Sequence, residues 1–216
     1  MPLERADIVH RTRPADGTPA GALVLMHGRG ADELDLAPLV DLLDPDRRLV
    51  GLLPRGPLAL PPGGAHWYVV RHIGYPDAPT FLETFDQASD WADAALEEAG
   101  LEPGRTVFGG FSQGTVMSYA LGLAASRPRP AGIIAMSGFI PRVDGFELDL
   151  ESRSGLPVSI SHGTHDPVIG VEWGRDARER LGAAGAEVSY REDPVAHQIA
   201  QAALTQARAV VESAFG

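Results

Sequence analysis

The sequence predicts an α/β fold: one domain over 1–216, a mostly parallel central sheet, helices on both faces and no cap domain. Two observations predict it. Short apolar runs at Ala22–His27, Leu49–Leu53, Thr106–Phe111, Gly132–Ser137 and Val158–His162 are bounded by Gly, Pro, Ser or His, as strands buried on both faces are. Helical stretches separate them, and such alternation is the mark of a parallel sheet with helical crossovers.

In chain order, Asp7–Arg11 offers an extra edge strand before the first buried run. Asp32–Leu43 has leucines at helical spacing, with Asp32 as the expected cap. Pro54–Pro79 holds six prolines, four glycines and the aromatics Trp67, Tyr68 and Tyr75, and is expected to be an ordered loop over a sheet edge. Thr80–Gly100 aligns Leu82, Phe85, Ala88, Ala92 and Leu96 on one stripe, with Gly100 as the stop. Gln113–Ala125 is small and apolar, and Arg142–Gly155 is a polar surface excursion. Val171–Ala184 is the next helix, Val188–Arg191 a weaker last strand and Gln198–Phe215 the closing helix. No repeat or linker divides the chain.

Composition narrows the functions. Hydrophobic residues make up 44% and charged residues 22%, ordinary for a globular protein. Cysteine is absent, which removes disulfides, thiolate zinc sites and a cysteine nucleophile together. The net charge is −11, and all 18 basic residues are arginine, a bias read as codon usage rather than chemistry. An acidic chain without a basic cluster argues against nucleic acid and anionic membranes as partners. Charges fall where a signal peptide would need its apolar core, and no apolar run has the length of a membrane span, so no stable membrane insertion and a cytoplasmic location are expected. The oligomeric state is left open, a homodimer included.

Gly110-Phe111-Ser112-Gln113-Gly114 is a G-x-S-x-G between an expected strand and an expected helix, the setting of a nucleophile elbow. A serine hydroxyl needs a base, and the base an orienting carboxylate. In a fold with this elbow the order is Ser, then Asp or Glu, then His. Of seven histidines only His162, His165 and His197 follow Ser112, and only His197 comes after the best carboxylate, Asp166. Asp144, Asp149 and Asp193 are the rivals, and helix capping is the plainer role for Asp166. The cluster His162-Gly163-Thr164-His165-Asp166 matches no common metal spacing, so no metal is expected. His27-Gly28-Arg29-Gly30-Ala31-Asp32 follows the first buried run, and its glycines let backbone N–H groups face the site. The two donors of an oxyanion hole are assigned to Arg29 and Gln113. A phosphate loop would need a different glycine spacing.

HGRGAD, PRGP at Pro54–Pro57, Trp67-Tyr68, GFSQG, MSGFIP at Met136–Pro141, HGTHDPVI and AHQI occur in that order. Together they resemble the phospholipase/carboxylesterase family of α/β-hydrolases, which includes the acyl-protein thioesterases. The resemblance implies a Ser112–Asp166–His197 triad, an oxyanion hole from the Arg29 and Gln113 amides, no cofactor, and a small-molecule ester or thioester as substrate. Two positions depart from the family pattern: Ala196 stands where glycine is common, and Gly170 where proline is. A dienelactone-hydrolase-like enzyme for cyclic esters is the alternative, but those typically use cysteine. A non-catalytic ligand-binding relative would need a broken triad.

The stretch between Ser137 and Val158 is too short for a helical cap, so an open cleft without a folded lid is expected. Leu58, Leu60, Trp67 and Tyr68 from the proline-rich loop, with Phe139, Ile140 and Val168, are expected to wall it for short-to-medium acyl chains.

Overall fold

A computed structural model describes residues 8–216. Strand β1 (His10–Arg13) lies antiparallel against β3 (Leu49–Pro54), and β2 (Gly21–Met26) runs parallel to β3 on its other side. Continuing from β2 come β8 (Thr106–Phe111), β9 (Gly132–Met136), β10 (Pro157–Gly163) and β11 (Glu187–Asp193), all parallel. Among the described residues the sheet therefore has seven strands, in the order β1-β3-β2-β8-β9-β10-β11.

Alternation along the strands divides the core. Ala22, Val24 and Met26 of β2 face α2 (Ala78–Glu98) and α3 (Gln113–Leu123) in one apolar cluster. Leu23 and Leu25 face the other way, toward α1 (Ala37–Leu43) and α5 (Gln201–Phe215). Helix α4 (Val171–Ala183) extends the first face over β9 and β10 through Ala177 and Leu181. Both faces are thus apolar, and each fully buried Leu, Val or Phe contributes about 1.5–3 kcal/mol. Helix α2 is capped by Asp77, which accepts the Thr80 N–H, and buries Phe81, Phe85, Ala88, Ala92 and Leu96.

The elements differ from expectation where local signals mislead. The first edge strand is His10–Arg13 rather than Asp7–Arg11, and Asp7 lies outside the described residues. Asp32 caps no helix: its carboxylate accepts the Leu34 N–H in a turn, and α1 starts only at Ala37. The segment after β3 is not plain loop. It folds into two small antiparallel hairpins, β4 (Leu58–Leu60) with β5 (Gly64–His66), and β6 (Val70–His72) with β7 (Tyr75–Pro76). The polar excursion after β9 is tied down by Arg153. Its buried guanidinium donates to the carbonyls of Gly122 and Ala124, closing the end of α3 where carbonyls lack helical partners.

Every parallel strand points its C-terminal end at one edge of the sheet. The segments after β2, β8, β10 and β11 meet there, and they carry Arg29, Ser112, Asp166 and His197.

Candidate active site

Ser112 sits between β8 and α3 with φ 56° and ψ −118°, a conformation that side chains other than glycine rarely adopt. The flanking glycines permit it. A Cβ on Gly114 would overlap the Met26 carbonyl, and one on Gly110 would overlap the Gly114 backbone. Thr115 braces the turn, its hydroxyl 2.6 Å from the Gly110 carbonyl and accepting the Met136 N–H at 3.0 Å.

The Ser112 hydroxyl donates to Nε2 of His197 at 2.9 Å, and Nδ1 of His197 donates to Oδ2 of Asp166 at 2.6 Å. Oδ1 of Asp166 accepts the N–H groups of Val168 (2.8 Å) and Ile169 (2.9 Å). Burial opposes ionisation of Asp166, but the His197 bond and the two amides outweigh it and hold the carboxyl below the usual range. Two of the rivals are engaged elsewhere, Asp149 accepting the Ser152 N–H and Asp193 pairing with Arg191, and Asp144 makes no bond to His197. Phe111 lies against the His197 ring, centroids 4.8 Å apart.

Arg29 and Gln113 line the same cleft as Ser112. Their backbone N–H groups donate to no carbonyl among the described residues. The loop that carries Arg29 is pinned on both sides. Gly30 N–H donates to Ala65, and Ala65 N–H to Ala31, both at 2.8 Å. Gly64 packs so closely on Gly30 that a Cβ there would overlap its backbone. His27 supports the loop from beneath. Its Nε2 accepts the Gly56 N–H (2.9 Å), so Nδ1 carries the proton given to the Gly28 carbonyl (2.7 Å). Burial keeps this imidazole neutral by lowering its pKa.

The cleft measures about 360 Å³. Tyr68, Phe139 and half-exposed Val168 line it, as do Val70, His72 and Ile73 of the second hairpin, which sequence reasoning missed. The cleft is therefore bordered by a hairpin rather than left entirely open. That hairpin is held by Trp173 of α4, which packs against Gly74 and Tyr75 and itself rests on Phe139.

Four expected wall residues, Leu58, Leu60, Trp67 and Ile140, are not among those that line the cleft, Leu60 sharing the first hairpin with Leu58. Trp67 is fully buried: Nε1 donates to the His27 carbonyl (2.9 Å), and the ring rests on the His27 imidazole. It anchors the loop instead of lining the cleft, and its indole N–H, being buried, is satisfied by that carbonyl. Leu58 belongs to the first hairpin and lies outside the cleft lining, and Ile140 is enclosed in the core under α4.

His162 is a further residue that residue order alone set aside. It is buried at the end of β10, its Nε2 donating to the Ile169 carbonyl at 2.8 Å and lying 3.7 Å from Asp166 Oδ2. It thereby holds the turn whose amides hold Asp166. No three His, Asp or Glu side chains are grouped to bind an ion among the described residues.

A family model described as Phospholipase/Carboxylesterase matches residues 8–214. The Bacillus subtilis (strain 168) protein named MhqD is 30% identical over 192 residues, which cover 89% of this chain and 92% of that protein. Acyl-protein thioesterase 1 of Cryptococcus neoformans var. neoformans is 29% identical over 116 residues, and the match spans 50% of this chain and 48% of that enzyme. Among solved structures, the carboxylesterase of Bacillus cereus superposes with a TM-score of 0.83 at 25% identity, covering 96% of this chain and 95% of that one.

Proposed function

The chain belongs to the phospholipase/carboxylesterase family of hydrolases, and from that footing we propose that it cleaves carboxylic esters or thioesters of short-to-medium acyl chains through an acyl-enzyme on Ser112. The observation that carries the reading is the unbroken relay Ser112–His197–Asp166, with links of 2.9 and 2.6 Å.

Each group has one task. His197 takes the Ser112 proton as the hydroxyl attacks the acyl carbon, and the resulting imidazolium is stabilised by ionised Asp166. The carbonyl oxygen, now an oxyanion, is received by the Arg29 and Gln113 amides beside the N-terminus of α3. His197 then protonates the leaving alcohol or thiol. Water, deprotonated by the same imidazole, releases the acid and restores Ser112. The apolar side chains of Val70, Ile73, Phe139 and Val168 suit a hydrocarbon acyl chain, and the modest volume of the cleft suits a short one. No helix among the described residues is long and apolar enough to cross a membrane. The proposed substrate is a free small molecule, met in the cytoplasm.

The test is turnover of 4-nitrophenyl esters together with labelling by a serine-directed fluorophosphonate. Label on Ser112, and loss of label and of several orders of magnitude in rate in Ser112→Ala, are expected. Label on Ser118, Ser137 or Ser161 with activity intact in Ser112→Ala would overturn the reading.

A further inference from the structure

Arg29 carries more than a backbone amide. Its side chain is exposed and lines the cleft that holds Ser112. Among the described residues its guanidinium makes no ion pair and no hydrogen bond. Of the acidic neighbours on its own loop, Glu33 pairs with Arg55 at 2.9 Å and Asp32 lies 3.7 Å from the same guanidinium, and neither bonds to Arg29. Asp166, the carboxylate behind the site, is fully buried and bonded to His197, Val168 and Ile169. Among the described residues no carboxylate lines the cleft, and His72 from the second hairpin lines it too. A chain of net charge −11 thus presents, among the described residues, an unpaired cation in the cleft that holds Ser112.

The loop makes that cation well placed. Gly30 and Ala31 are clamped to β5, so the Arg29 backbone is fixed while its side chain is not. A guanidinium offers a planar fork of donors that suits carboxylate, phosphate and sulfate oxygens. The opposite side of the same cleft is hydrocarbon.

We propose that Arg29 is a specificity-determining residue, and that the substrates of this enzyme are esters or thioesters carrying a negatively charged group near the scissile carbonyl. The inference rests on the serine hydrolase reading and adds the substrate's charge to it. The anion pairs with the Arg29 guanidinium, and the apolar remainder lies along Val70, Ile73, Phe139 and Val168. The net negative charge opposes such a substrate at long range, but salt screens that field beyond roughly 8 Å at physiological ionic strength, so the adjacent cation decides.

Two matched ester pairs locate the charge. Mono-4-nitrophenyl adipate against 4-nitrophenyl hexanoate tests an anion on the acyl side. 4-Carboxyphenyl butyrate against 4-carbamoylphenyl butyrate tests one on the leaving group. One charged ester should be preferred over its neutral partner about three- to tenfold in kcat/KM at low salt. The preference should shrink in about 0.5 M sodium chloride, because a partly exposed pair is screened. In Arg29→Gln the charged-to-neutral ratio should fall to about one, in Arg29→Glu it should invert, and Arg29→Lys should restore part of it. Ratios rather than rates are read, since the residue 29 amide also serves the oxyanion. Turnover with no charge preference in either pair, or a preference that survives Arg29→Gln, overturns this inference alone. Absence of turnover on all four esters, with no label on Ser112, overturns the hydrolase reading and this inference with it.

Discussion

Asp166 is held by both of its oxygens: Oδ2 takes the His197 Nδ1–H at 2.6 Å, and Oδ1 takes the Val168 and Ile169 amides at 2.8 and 2.9 Å. An imidazole aligned by a carboxylate that cannot itself rotate presents Nε2 to Ser112 as a ready acceptor.

Asp166→Asn should therefore leave the fold intact and cut kcat by roughly 10³–10⁴, because the amide favours the wrong imidazole tautomer. Asp193→Asn, whose carboxylate pairs with Arg191, should change kcat by less than about twofold. Steady-state kinetics with circular dichroism on both variants checks this, and the reverse pattern would reassign the carboxylate.

Trp67→Ala should destabilise the protein by about 3–5 kcal/mol in urea, the usual range for emptying a buried large aromatic site. Its effect on activity should be the same for acetate and hexanoate esters, since the ring contacts His27 and not the cleft. Val168→Ala and Phe139→Ala should instead lower hexanoate turnover more than acetate turnover. Each lost methylene contact is worth up to roughly 0.8 kcal/mol. A Trp67→Ala profile tilted with chain length would return the indole to the acyl wall.

Stability should decline as pH falls from 7 to 5. His27 and His162 are both buried, and burial lowers their pKa values despite carbonyl hydrogen bonds that favour the charged form. Below the unfolded pKa of about 6.5 the unfolded chain binds protons that the folded chain refuses, so each contributes stability above that pH and loses it below, by up to about 1.4 kcal/mol per pH unit. His162→Gln keeps a donor for the Ile169 carbonyl and removes the titration, so its urea midpoint should fall less steeply over this range. An unchanged slope would mean His162 takes its proton within the folded state.

Gly114→Ala should cost about 3 kcal/mol, because the added Cβ meets the backbone carbonyls of Met26, fixed at the end of β2, and of His27 just beyond it. Gly63→Ala, with no atom within 4 Å of the added carbon, should be silent. Thermal melts of the two variants check the contrast.

The central strands were legible because a strand buried on both faces is a short unbroken apolar run, and Thr106–Phe111 matches to the residue. The edges were less so. In β1 and β11 charged and polar side chains interrupt the runs, so both their limits and their lengths shift. The hairpins after β3 have strands of two or three residues, too short to show a period, and proline masks them further. At the site, the residues meeting around Ser112 could be named from motif and chain order, while directions could not. Nothing in the sequence distinguishes Trp67 turned inward from Tyr68 turned to the cleft, since both are large aromatics on one loop. His162 carried a signal, its place at the same strand end as Asp166, but its role lies in a hydrogen bond to a backbone carbonyl that no motif encodes.

Gln113 spends its whole side chain on the segment after β3: Oε1 accepts the Trp67 N–H at 2.9 Å and Nε2 donates to the Tyr68 carbonyl at 2.8 Å. The consequence is one of heredity. The stretch that borders the cleft is not an exchangeable cassette, because its backbone is sutured to the residue following Ser112. A chimera that imports this stretch from a relative must import a matching residue 113 as well, or else leave a buried amide without partners at the centre of the site. Diversification of the cleft is constrained at Trp67–Tyr68, which Gln113 holds, and at Gly74, on which Trp173 packs, and less so at the neighbouring hairpin positions that face the cleft. Libraries aimed at new substrates gain most at Val70, His72 and Ile73, which border the cleft without supporting the serine.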